Sequence, residues 1–309
     1  MKLVFMGTPD FAVPTLKSLI ESDHEVVAVI TQPDKPKGRG KEMQPTPVKA
    51  AALEAGLPVY QPLRVRDEAF VAQLAAWQPD AIIVAAFGQL LPKSIIDMPT
   101  YGCINVHASL LPKYRGAAPI QWAVINGEKE SGVTAMLMNE GLDTGDMLKK
   151  VAVPLEEKET GDSLHDKLGV LGGDLILSVL EELDEGTAVR TPQKDEESCY
   201  AKMLKKEMGS IDFSMPAEKI ERLIRGLNSW PSAYTHVNGK TLKIWEAEVL
   251  DKEYDGVCGE IVELTKDSLL VKTGRGTLSL TEVQLEGKKR MEVDAFLRGY
   301  PLEKGMLFQ

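Results

Sequence analysis

Gly102-Cys103-Ile104-Asn105-Val106-His107 is short, apolar and β-prone, and it reads as a buried strand. Working towards the N-terminus, Ala81 to Phe87 holds no polar side chain and reads as a fully apolar strand. Lys2 to Met6 and Glu25 to Thr31 are two more, and Val59-Tyr60 is strand-like. Helical stretches fall between them. One runs to about Glu21, with Thr8 or Asp10 able to cap it. Others cover Pro47 to Ala55 and Glu68 to Trp77. Towards the C-terminus come a helix from Ala118 to Asn126, strands Val133 to Met138 and Leu148 to Val153, and an amphipathic helix from Ser163 to Leu183. Strands alternating with helices mean a Rossmann-like, mostly parallel α/β sheet. Ligands of such sheets bind at the carboxyl ends of the strands. Phe87-Gly88, His107-Ala108 and the loop after Met138 all fall there. The first strand leads into GTPDF rather than G-x-G-x-x-G, so no dinucleotide site is expected.

Past this alternation the pattern changes. Met215 to Leu227 reads as a helix ended by Asn228-Ser229-Trp230-Pro231, with Trp230-Pro231 read as packing. Short strands follow at Ala233–Val237, Leu242–Glu248, Cys258–Leu264, Ser268–Thr273 and Thr277–Val283, with Asn238-Gly239 a hairpin turn. Such a succession predicts a small β-barrel of the oligonucleotide-binding (OB-like) kind. The expected division is an α/β domain over residues 1–189, a linker over 190–206 and the barrel over 207–309. The first part then holds every chemical group proposed below.

The net charge of −10 is unevenly spread. Residues 200–309 carry 17 cations and 17 anions, while 156–197 carry 13 acids against 4 bases. The acidity is local and leaves room for a basic surface elsewhere. The three cysteines are widely spaced, which fits neither a disulfide framework nor a metal cluster and suggests a reducing cytoplasm. Four histidines without ligand spacing lead us to expect no metal. No apolar run approaches the ~18 residues of a membrane helix, so no membrane partner is expected.

Side chains two apart on a strand share a face, so Asn105 and His107 emerge together where their strand ends. An amide donor beside a proton-handling imidazole is a pair suited to acyl transfer. Asn105 would donate to the oxyanion, and His107 would accept a proton from an attacking amine. Asp143, between glycines in Gly141-Leu142-Asp143-Thr144-Gly145, would fix the tautomer of His107. The alternative is a hydrogen-bonded structural histidine and an aspartate serving a turn. Cys103 shares the face of Asn105. It lies deeper in the strand and reads as an inert buried thiol.

The run INVHASLLPKYRGAAPIQWAVINGEKESGVTAMLMNEGLDTGDML resembles the core of the folate-dependent formyltransferases. MKLVFMGTPDFAVPTL, PDKPKGRGKEMQPTPVK and LNSWPSAYT extend the resemblance over essentially the whole chain. It implies 10-formyltetrahydrofolate as formyl donor. The acceptor it implies is the methionine amino group of initiator tRNA. It further implies that Ser109-Leu110-Leu111-Pro112 borders the folate. At the neighbouring strand end, Phe87, Gln89, Leu90 and Leu91 would give the pterin apolar walls and a few hydrogen bonds. A monomer is expected. A relative acting on an amino sugar nucleotide and a non-catalytic RNA-binding protein are the competing readings.

Residues 33–49 read as a long loop in which Lys35, Lys37, Arg39 and Lys41 alternate with Pro or Gly. Extended, all four point one way, which suits contact with a phosphate backbone. The resemblance assigns this loop to the tRNA acceptor end, with Arg39 foremost. Lys202, Lys205 and Lys206, Arg222 with Arg225, and Lys288-Lys289-Arg290 form further basic clusters, of which Lys206 is taken as tRNA-binding.

Overall fold

A computed structural model describes residues 1–37 and 42–309. The elements run β1 (Lys2–Gly7), α1 (Ala12–Glu21), β2 (Glu25–Ile30), β3 (Lys35–Lys37), β4 (Glu42–Gln44), α2 (Pro47–Glu54), β5 (Val59–Tyr60), α3 (Glu68–Ala76), β6 (Ala81–Ala85), α4 (Lys93–Ile96), β7 (Cys103–His107), β8 (Arg115–Gly116), α5 (Pro119–Asn126), β9 (Glu130–Leu137), β10 (Met147–Pro154) and α6 (Gly161–Asp184). After these come β11 (Tyr200–Ala201), α7 (Ala217–Gly226), β12 (Ala233–Val237), β13 (Lys240–Leu250), β14 (Ile261–Leu264), β15 (Leu269–Lys272), β16 (Thr277–Leu285), β17 (Met291–Glu292) and α8 (Val293–Gly299).

Two compact units emerge, interleaved along the chain. One comprises residues 1–119, 130–154 and 165–201, and the other 120–129, 155–164 and 202–309. These differ from contiguous boundaries at 189 and 206. Residues 190–201, expected as linker, pack within the first unit. Thr191 exchanges both backbone hydrogen bonds with Met147 at 2.9 Å, and β11 pairs with β8.

In the first unit the sheet order is β10-β9-β7-β6-β1-β2-β5. Strands β5, β2, β1, β6 and β7 run parallel; β9 pairs antiparallel with β7, and β10 antiparallel with β9, so that β9 alone runs against the rest. The chain leaves β1 towards β2 on one side and returns through β6 on the other, which makes the β1/β6 carboxyl ends the switch point of the sheet. Every residue of β6 is buried, as its unbroken apolar run requires. One face of the sheet packs Val4, Met6, Ala28, Ile30, Ile82, Val84 and Cys103 with Phe70 and Leu74 of α3 and Ile95 of α4. On the other face a Cβ on Gly172 of α6 would sit 2.8 Å from Val106 Cγ1, so the absent side chain lets the helix approach β7 closely.

Neither expected cap serves α1. Thr8 instead donates through Oγ1 to the Phe87 carbonyl at 2.9 Å, and Asp10 Oδ1 accepts from the Phe11 N–H. The expected loop over 33–49 is also partly structured: β3 and β4 form an antiparallel hairpin, and α2 begins at Pro47 with Thr46 as its cap.

The second unit carries an antiparallel sheet in the order β12-β13-β16-β15-β14, with β17 on β16. Helix α7 lays Ala217, Ile220 and Ile224 on its core. The segment 305–309 ties the two edge strands. Gln309 exchanges backbone hydrogen bonds with His236 of β12, and Gly305 and Met306 bond to Ile261 of β14. That segment completes the barrel and was absent from the strand pattern.

Candidate active site

Strand β7 ends at His107, which is 6% exposed. Its Nε2 lies 2.9 Å from the Tyr114 carbonyl, and its Nδ1 lies 3.8 Å from Asp143 Oδ2. The neutral ring, donating Nε2–H to that carbonyl, keeps its lone pair on Nδ1, the nitrogen nearest the carboxylate. Asp143 reaches this position from the loop after β9. Its φ of 53° is left-handed, and its Oδ2 accepts the Gly116 N–H at 2.9 Å. The loop is tight as well: a Cβ on Gly145 would fall 1.7 Å from the Leu137 carbonyl. Glycine is required there. The structure thus brings His107 and Asp143 together, one residue from a strand end and one from a loop 36 positions on.

Asn105 is half-buried on the same strand, paired with Val84 and Met136 of the neighbouring strands. Among the described residues its side-chain amide has no hydrogen-bond partner. A half-buried amide left free beside an imidazole is available to a ligand. Cys103 is on the same face, but its Sγ sits in the core and donates to the Ile95 carbonyl at 3.5 Å. Burial, more than the charge of Asp97, pushes its thiol up to about 12. It supplies no thiolate near neutral pH.

Ser109, Leu110, Leu111 and Pro112 fold into a packed turn. Ser109 Oγ donates to the Lys113 carbonyl, and Leu111 is wholly buried against Met136 and Met147. Thr134 of β9 pins the turn: its Oγ1 accepts from the Leu111 N–H at 3.1 Å and donates to the Ser109 carbonyl at 2.6 Å. Leu110 packs toward β9, where a Cβ on Gly132 would meet it at 2.6 Å. The turn therefore fixes where Tyr114 presents its carbonyl to His107.

At the end of β6, Phe87 and Leu91 are core side chains. Gln89 is engaged with backbone, accepting from the Val65 N–H at 3.0 Å and donating to the Pro62 carbonyl. Leu90 is 87% exposed. What this run offers a ligand is its backbone and Leu90. Thr8 and Gln32 both reach the Phe87 carbonyl and hold that backbone at the switch point.

Lys35 is exposed on the β3–β4 hairpin, and Lys37 closes β3 in register with Glu42. Arg39 and Lys41 lie outside the described residues. The hairpin is fastened at its base. Lys49 Nζ and Gln61 Nε2 both donate to the Asp34 carboxylate, and the Lys49 bond, first among several, holds that carboxyl below its usual range. In the second unit Lys206 borders a cavity of about 520 Å³ with Tyr234, His236, Lys243 and Gln284. Not every cluster read as basic is available, however. Arg225 grips Glu221 through two nitrogens and gives its third to the Glu159 carbonyl. Arg290 pairs with Glu282 and covers Trp245. Trp230, expected to pack, is 59% exposed.

Residue spacing gave no signal for Thr134, Tyr114 or Gly116, whose contributions are a hydroxyl and two backbone groups. Gln193 was equally hidden. Its Nε2 donates to the carbonyls of Asp143 and Gly145, both at 2.8 Å, from within the presumed linker. Among the described residues no three His, Cys, Asp or Glu side chains gather as a metal site requires, and no helix is long and apolar enough to cross a membrane.

Residues 1–180 match the formyl transferase family, and residues 203–301 match its C-terminal domain. A methionyl-tRNA formyltransferase of Agathobacter rectalis is 58% identical over 308 residues, covering 100% of this chain and 99% of that relative. One from Lachnospira eligens is 56% identical over 312 residues, covering 99% of each. Among solved structures, an N-formyltransferase from Helicobacter canadensis in complex with folinic acid and dTDP-3-aminofucose superposes with a TM-score of 0.66 at 18% identity, over 91% of this chain and 99% of that one. The chain belongs to the formyl transferase family.

Proposed function

We propose that this chain transfers the formyl group of 10-formyltetrahydrofolate to the free amino group of methionine on initiator tRNA, as a cytoplasmic monomer acting in translation initiation. The observation that carries the reading is the likeness to relatives of that name over the full length of both chains. The free amide of Asn105 next to the paired His107 and Asp143 agrees with it.

The bound folate supplies an activated formyl group; the chain supplies position, charge and a place for a proton. No protein nucleophile is needed, because the acceptor amine is one. As it attacks, negative charge grows on the formyl oxygen, where the Asn105 N–H groups donate. His107 takes the proton that the amine sheds and returns it to N10 of the folate as the bond between N10 and the formyl carbon breaks, so that tetrahydrofolate leaves and the formyl group stays on the amine. Nδ1 of His107 is the open nitrogen, and the cation so formed faces the Asp143 carboxylate. At roughly 4 Å such a pair attracts by about 4 kcal/mol near a protein surface, against about 1 kcal/mol in water. The turn 109–112 and the backbone of 87–91 form the folate walls. Lys35, Lys37, Arg39, Lys41 and Lys206 meet tRNA phosphates.

The test is incubation of the protein with 10-formyltetrahydrofolate and either charged initiator tRNA or an amino sugar nucleotide. Formyl-methionyl-tRNA is the expected product. Formylation of the sugar nucleotide alone would move the chain to that branch. Binding of tRNA with no formyl transfer to either acceptor would make it a binding protein.

A further inference from the structure

Gln193 lies 50 residues beyond Asp143, in a segment whose acidity marks it as a spacer, yet all its hydrogen-bonding capacity is turned on the proposed active site. A glutamine amide has two N–H donors and one carbonyl. Here Nε2 holds the carbonyls of Asp143 and Gly145 at 2.8 Å each, and Oε1 accepts from Arg115 Nε at 3.0 Å. Arg115 in turn sits between the two residues that address the catalytic pair. Tyr114 gives its carbonyl to His107 Nε2, and Gly116 gives its N–H to Asp143 Oδ2. Gln193 therefore closes a ring: His107, the segment 114–116, Gln193, the Asp143 loop, and back to His107 across the 3.8 Å gap.

The clasp acts on a loop with an unusual backbone. Asp143 holds a left-handed backbone, which aspartate adopts more readily than most non-glycine residues but which two hydrogen bonds from Gln193 flank here. The position of Gln193 is itself fixed by Thr191, which pairs with Met147 at the start of β10. Moreover, the gap between His107 and Asp143 is wider than a hydrogen bond, so its width depends on where the loop is held.

We propose that Gln193 is a positioning residue for formyl transfer: it touches neither substrate but sets the place of Asp143 relative to His107. The inference rests on the reading of that pair as catalytic. In the full-length protein, Gln193→Met keeps the volume and removes every hydrogen bond; Gln193→Ala removes both. Displacement of a catalytic group by about 1 Å costs up to about 100-fold in rate. Both variants should lower kcat by about 10- to 100-fold, with KM for the folate and the tRNA held within about twofold. Adding Asp143→Ala to either should bring little further loss, because the clasp has nothing left to place.

Three results would overturn the proposal. One is a normal kcat in Gln193→Met when Asp143→Ala alone is impaired, which leaves the catalytic pair standing without its clasp. Another is losses that multiply in the double variants, which makes Gln193 an independent structural residue. The third is a fully active Asp143→Ala, which removes the catalytic reading and the positioning role with it.

Discussion

His107 shows what a single residue type cannot announce. Its neighbours in space are a carbonyl, a carboxylate from a distant loop and a free amide two positions away. Only the last was visible as a spacing, through the period of two that puts Asn105 and His107 on one face. Asp143 was legible as a carboxylate between glycines, and the reason for the second glycine became clear only from the Leu137 carbonyl lying against it. Tyr114 and Gly116 act through backbone groups common to every residue, so no composition or motif could mark them. The residues nevertheless differ in testable ways. His107→Ala should lower kcat by about 10²–10⁴-fold with tRNA affinity nearly unchanged. A loss confined to KM would make His107 a substrate-positioning group. Asn105→Ala removes a donor that no other described residue uses, so stability should hold while kcat falls about 10²–10³-fold. Thermal melting and steady-state rates on the same preparation separate the two effects, and a large drop in Tm with normal kcat would place Asn105 in the scaffold.

At the level of elements, the long periodic segments were readable, and of the short ones β5 was read while most others were not. Strands β1, β2 and β6 stood out because their runs are apolar, after one leading charged residue in β1 and β2, as burial on both faces demands. The hairpin of β3 and β4 did not. Three residues a side offer too little alternation to recognise, and its prolines and glycines speak for a loop. Its anchorage is polar: the Thr31 and Thr46 hydroxyls meet at 2.7 Å, and Asp34 receives Lys49 and Gln61. A cation-bearing hairpin on a fixed base suits a phosphate backbone, since charge is presented from an anchored support. Alanine at Lys35, Arg39 or Lys41 should raise KM for the tRNA and leave folate binding intact. Each replacement should also flatten the log–log salt dependence of tRNA affinity by somewhat under one unit per lost contact. An unchanged slope together with an unchanged KM would return these side chains to the solvent.

Across the whole molecule, the two architectures were legible from the change in hydrophobic period near residue 200, but their edges were not. Sequence reading assumes that a unit is a continuous stretch. Here 120–129 and 155–164 pack with the later unit, in which Ile125 lies against Gly226 and Glu159 receives Arg225. The acid-rich stretch 190–201 looked like a spacer because it is polar, although its backbone, Gln193, Asp195 and Cys199 all make contacts within the first unit. A chain ending at Arg190 forfeits the Thr191 pairing, Gln193 and β11. It should melt below a chain ending at Ala201; equal melting temperatures by calorimetry would show those contacts to be idle. The interleaving also imposes a schedule on synthesis. Lys202 follows Lys129 by 73 positions, and at about 5–20 residues per second the ribosome needs about 4–15 s to cross them. Through that interval Ile120, Ala123 and Val124, all buried in the finished protein, have emerged before most of the unit they belong to exists. For several seconds the segment 120–129 is out of the ribosome without most of the unit it is grouped with. Slower translation through residues 130–201 should therefore lower the soluble yield of the full chain, and an unchanged yield would show that the segment 120–129 can wait for its unit without loss.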